Sequence, residues 1–151
     1  MLEQVLLKSL VRRLPGPMDA PSLLKLLSDE LSAPTGLAAP TIEQALSERL
    51  RRGGVATPEG VAFPHAVING VHRTVVGLIL APGGVQFDPG QPPSDLIFAI
   101  AGDATRPWEH VRLLARLSRI TVDEGSRRRL RACRDDASLL AALLQEDAQH
   151  G

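Results

Sequence analysis

Of the four histidines in the sequence, one stands where an imidazole could act as a nucleophile and a second where an anion is favoured. His65 ends an extended segment framed as Gly-x-x-x-Pro by Gly60 and Pro64, and its small neighbours leave the ring accessible. His110 falls in the first turn of a helix, beside the unpaired N–H groups and positive dipole end that favour anions. Together they suggest a place where a phosphoryl group is received. Two ordinary histidines are the plainer alternative. His72 sits in the polar turn 69–73 and reads as solvated, and His150, next to the last residue, is expected to be disordered.

Other chemistries lack their parts. There is no G-x-S-x-G elbow and no G-x-x-x-x-G-K-[ST] loop. Nothing in the spacing of His65, His72 and His110 asks for a zinc cluster. Cys133 has no partner for an internal disulfide and reads as an idle helical thiol. The arginine run at 127–131 reads as a solvated helix face whose aliphatic stems lie along the surface.

The elements that must position the histidines follow from periodicity. The first fourteen residues are ambiguous between helix and strand, and a turn at Pro15–Pro17 ends them. Leu23, Leu24, Leu27 and Leu31 predict a helix over 21–32, followed by a loop. Thr41, with Gln44 three residues on, predicts a capping box opening a second helix that Gly53 and Gly54 stop. The middle changes period. Residues 74–81 and 95–101 are dense apolar runs bounded by Pro and Gly, which predicts central strands covered on both faces. Asp88 is expected to cap the turn before Pro89. A helix then starts at Pro107, with Val111, Leu114 and Leu117 on one side and His110 sharing the apolar face. Helices near 124–134 and 136–147 close the chain, the last capped by Asp136. Helices at both ends of a short sheet predict an α/β or α+β fold.

Length and composition bound the function. At 151 residues the chain has the size of one domain, read here as 1–151. Its 17 basic residues balance 17 acidic ones, whereas a chain bound mainly to phosphate backbones carries a basic excess, so nucleic acid is not an expected partner. No apolar stretch approaches the roughly 20 residues of a membrane span, and the N-terminal segment lacks the form of a secretory leader. No direct membrane insertion and a cytoplasmic location are the expectation.

The stretch from Arg49 to His65 resembles the enzyme IIA domain of the fructose/mannitol type, nitrogen-regulatory versions included, of the bacterial phosphoenolpyruvate-dependent phosphotransferase system. Arg49 stands sixteen residues before His65, and Gly60, Val61, Ala62, Phe63, Pro64, His65 and Ala66 fill the family's G-x-A-x-P-H motif. Residues 85–102 resemble its aspartate turn and following strand, and His110 to Ser118 its H-L-x-x-L-A-x-L-S helix. The likeness is clearest over 41–145. The chain departs from the pattern where Val55 replaces a threonine, Pro58 a glycine, and Val67 a basic residue.

The resemblance implies an α/β sandwich, a mixed sheet of about five strands flanked by helices, and a strand near residues 10–14. It implies that His65 takes a phosphoryl group from a histidine-containing phosphocarrier protein. His65 would pass it to a IIB-type partner or signal its presence to a regulatory target. In that scheme His110 stabilises the phosphoryl group, Arg49 supplies a cation, and Glu59 could orient an imidazole. The donor arrives activated, so no metal or organic cofactor is required. A non-catalytic module of the same fold, binding a kinase, transporter or transcription factor, is the alternative.

Overall fold

The structure is a computed structural model that describes residues 1–151. A short 3-10 turn at Leu2–Gln4 leads into β1 (Leu6–Arg13), α1 (Ala20–Thr35) and α2 (Ala39–Arg51). The middle holds β2 (Val61–Ala62), β3 (His65–Ile68), β4 (Val75–Val85) and β5 (Ser94–Asp103). Then come α3 (Pro107–Thr121), α4 (Glu124–Arg131) and α5 (Asp136–His150). No helix is long and apolar enough to cross a membrane.

The sheet is mixed. β4 and β5 form its antiparallel centre, with Leu78 opposite Phe98. β1 joins β4 in parallel, and β2 and β3 join the far side of β5 in parallel. Along the central strands the side chains alternate between two cores. Ile79, Ile97 and Ala99 face α1 and α2, packing with Leu27 and Leu46. Leu78, Phe98 and Ile100 face the three C-terminal helices, packing with Leu117 and Leu143. Both faces being covered is why these strands read as continuous apolar runs. The expected α/β class, with about five strands flanked by helices, is the observed one. The N-terminal segment is a strand, longer than the implied 10–14.

Several boundaries move for local reasons. α1 runs past Ser32 to Thr35 with Pro34 inside it, where a loop was expected. A proline so near the end removes one terminal hydrogen bond, and Gly36, at φ 76°, closes the helix through Ser32 O. α2 begins at Ala39 with Pro40 in its first turn and no side-chain cap, so the Thr41–Gln44 box is not its start. Pro40 is pre-set for a first turn and opens the helix earlier. Asp135, taking the Ser138 N–H, caps α5, and Asp136 instead accepts from Arg13 N at 2.8 Å. Val111, expected on one side of α3 with Leu117, is 65% exposed, whereas Leu117 is buried. His150, expected to be disordered, ends α5 with Nε2 3.7 Å from Glu146. The arginine run is a solvated face only in part: Arg128 and Arg129 are exposed, but the run is also tied down. Arg127 donates to the Thr121 carbonyl, Arg129 clamps the buried Glu146, and Arg131 spans to Asp95.

Candidate functional site

The segment that carries His65 is held before it reaches the histidine. Gly60 takes φ 80°, a turn only glycine makes without strain, and its carbonyl accepts from Asp95 N at 3.0 Å and Leu96 N at 3.2 Å. Arg131 clasps the same turn, donating to both Asp95 carboxylate oxygens at 3.1 and 2.9 Å and to the Glu59 carbonyl. Pro64 has no N–H to give, which suits a sheet edge, and its carbonyl accepts from Ile100 N at 3.1 Å. His65 follows in register with Ile100. Its Nδ1 lies 2.5 Å from the Phe63 carbonyl oxygen. A carbonyl only accepts, so Nδ1 must carry the hydrogen and Nε2 the free lone pair.

α3 brings His110 to this edge. Asp103 accepts from Thr105 N and Oγ1, turning the chain into Pro107 and the first helical turn. His110 is 6% exposed, and neither ring nitrogen has a hydrogen-bond partner. Gly102 of β5 makes room for it: a Cβ there would lie 2.7 Å from His110 Nδ1. The His65 and His110 rings are 5.1 Å apart between centroids and tilted by 41°. Arg49, at the end of α2, donates to Gly53 O at 2.7 Å. A cavity of about 350 Å³ is lined by Arg49, Arg52, His65, His110 and Leu114. The structure thus brings three of the four expected residues together.

Glu59 is the exception. It lies on the exposed turn before β2, outside the cavity that both imidazoles line, and its carbonyl is engaged by Arg131. The Phe63 carbonyl does the orienting expected of Glu59, because a main-chain acceptor two residues back reaches Nδ1 directly. Sequence reading also missed Arg52 on the cavity wall. No signal in residue type marks the Phe63 carbonyl.

Asp88 does not cap the turn before Pro89 as expected. Its carboxylate leaves its own turn and accepts from Gly54, Val55 and Ala56 N–H at 3.2, 3.0 and 2.7 Å, fixing the loop after α2. A buried donor left without a partner costs about 1–3 kcal/mol. Val55 and Ala56 are buried, so Asp88→Ala is expected to destabilise the fold by about 3 kcal/mol. Urea unfolding reads this directly, and a loss below about 1 kcal/mol would show that water replaces the carboxylate.

Burial pushes the His65 pKa down, against the Phe63 carbonyl, and the Arg49 cation lowers it further. Burial pushes His110 down first, and the neighbouring His65 adds to it. Both rings are therefore neutral near pH 7. As pH falls below the ordinary value of 6.5, the unfolded chain binds these protons before the folded one does. The stability they contribute is present above pH 6.5 and lost below it. Urea midpoints are expected to fall between about pH 7 and pH 5, and less steeply in His110→Phe. Equal slopes for the two proteins would remove His110 from this account.

Residues 4–146 match the family model described as "Phosphoenolpyruvate-dependent sugar phosphotransferase system, EIIA 2". The chain belongs to this family. EIIA domains are phosphotransfer components of that system. A multiphosphoryl transfer protein of Xanthomonas campestris is 28% identical over 79% of the chain, which spans only 14% of that relative's length. A nitrogen regulatory protein of Klebsiella oxytoca is 26% identical over 81% of the chain and 76% of the relative. Among solved EIIA folds, nitrogen regulatory protein IIA-Ntr from Neisseria meningitidis superposes with a TM-score of 0.84 at 23% identity, covering 93% of this chain and 97% of that one. The Escherichia coli IIA mannitol domain, solved in complex with phosphorylated IIB mannitol, gives 0.70 at 19% identity over 85% and 90%.

Proposed function

We propose that His65 is the phosphoryl-accepting residue of this EIIA chain, which works as a phosphocarrier. The observation that carries the reading is the Nδ1–Phe63 carbonyl bond, which leaves the Nε2 lone pair free in a site shared with Arg49 and His110. Nε2 attacks the phosphorus of a phosphohistidine on a histidine-containing carrier protein. One N–P bond forms as the donor's breaks, and the electron pair returns to the donor imidazole. The Nδ1 hydrogen stays in place. Its bond to Phe63 strengthens as the ring gains positive character, so the acceptor needs no separate base. The chemistry is mostly positioning and charge stabilisation. Arg49 supplies a cation. A neutral His110 offers one N–H to a phosphoryl oxygen, and no protein group competes for it. The phosphoryl group then passes to a IIB-type partner or is read by a regulatory target.

The test is to incubate the chain with phosphoenolpyruvate, the first enzyme of the system and its histidine carrier, and to measure intact mass. A gain of one phosphoryl group that survives base and is lost in acid is the expected result. No gain with an active donor would overturn the proposal and favour the non-catalytic binding module.

A further inference from the structure

α3 turns His110 toward the sheet edge and a row of guanidinium groups toward its other flank. Arg112, Arg116 and Arg119 recur at i, i+4 and i+7, so they share one face. Opposite them stands the 3-10 turn Leu2–Gln4, and between the two lies a cavity of about 460 Å³. Met1, Val5 and Ala115 give it an apolar wall, backed by the buried Leu2 and Leu113. Arg116 is anchored: its Nε donates to Asp147, a carboxylate only 1% exposed that also accepts from Leu2 N at 3.1 Å. Glu109, on the rim, is 3.4 Å from Arg106. Arg112 and Arg119 have no acidic partner within 4.0 Å. In a chain whose formal charges cancel, two uncompensated guanidinium groups on one cavity make a local positive field.

We propose that this groove binds a small organic anion with an apolar body. The guanidinium row receives its phosphate or carboxylate end, both of which suit the planar fork of Arg. Met1, Val5 and Ala115 take the body. The volume falls within the roughly 300–1,000 Å³ of small-molecule sites, and the mix of an apolar wall with a few converging charges is their usual lining. An elongated polyanion would find only three arginines on one helix face, one of them already neutralised. The groove lies on the flank of α3 opposite the histidines, so the inference does not rest on phosphoryl transfer at His65.

The experiment is an amide NMR titration of the full chain at low ionic strength with hexyl phosphate, hexanoate and inorganic phosphate. Hexyl phosphate or hexanoate is expected to shift the Val5, Leu113 and Ala115 amides saturably, and the tighter of the two identifies the headgroup. Inorganic phosphate, lacking the body, should bind there at least tenfold more weakly. The exposed double substitution Arg112→Gln/Arg119→Gln should raise the dissociation constant at least tenfold, and Ala115→Glu, which puts a carboxylate on the wall, should do the same. Groove amides that move with neither organic anion, an unchanged constant in both variants, or equal binding of inorganic phosphate would each overturn the site.

Discussion

His65→Ala is expected to abolish phosphoryl acceptance outright, because no other side chain offers a lone pair in the same setting. His110 is packed beneath the edge at 6% exposure. His72 is exposed, its ring lying over Gly36 and its N–H bonded to the Thr35 carbonyl at 2.9 Å, as part of a different turn. Intact-mass measurement after incubation with the donor proteins should therefore show no gain in His65→Ala and a full gain in His72→Ala. Undiminished label in His65→Ala would transfer the role to another residue. The lowered pKa adds a second signature. Acceptance needs a neutral ring, so the wild-type rate should hold as pH drops through 6.5 and fall only below it.

The second large effect concerns His110. Losing one preorganised donor to developing charge costs about 10²–10³ in rate, and the lower end is expected here. His110→Ala should accept or pass phosphoryl about a hundredfold more slowly. It should remain folded, since the imidazole makes no hydrogen bond that its removal would break. His110→Gln keeps an N–H donor on the helix and should recover part of the rate. Gly102→Ala approaches the same question from beneath: its Cβ would come within 2.7 Å of Nδ1, so the ring must shift although His110 is still present. Normal stopped-flow transfer by a folded His110→Ala protein would leave His110 as a packing residue at the edge of the core.

What was legible in the sequence was local. The Gly60–His65 frame, the alternation of β4 and β5 and the apolar face of α3 are set by residues within a few positions of each other. What was missed reaches across the chain. Asp88 bonds a loop more than thirty residues earlier, and Arg131 clasps a turn seventy-two residues away. Neither partner is implied by the periodicity around the residue itself. Glu59 was misassigned for a related reason: side-chain chemistry is visible in a sequence, whereas the Phe63 carbonyl that occupies its place is common to all residues. The start of α2 was misplaced because Thr41 looks like a cap, while the fixed torsion of Pro40 acts before it.

The parallel attachment of β3 to β5 bears on when the site comes into being. β4 and β5 are consecutive and antiparallel, so their pairing closes a short loop. His65 meets Ile100 across thirty-five residues, and β1 meets β4 across some seventy, and each closure loses chain entropy before its contacts form. The central hairpin is thus the natural early structure, with the edge strands joining later. His110, resting on Gly102, waits on β5, while His65 comes into place only as its strand docks. Chemical competence is therefore a late event in refolding, and the edge that presents His65 is the part of the sheet that can detach without dismantling its centre.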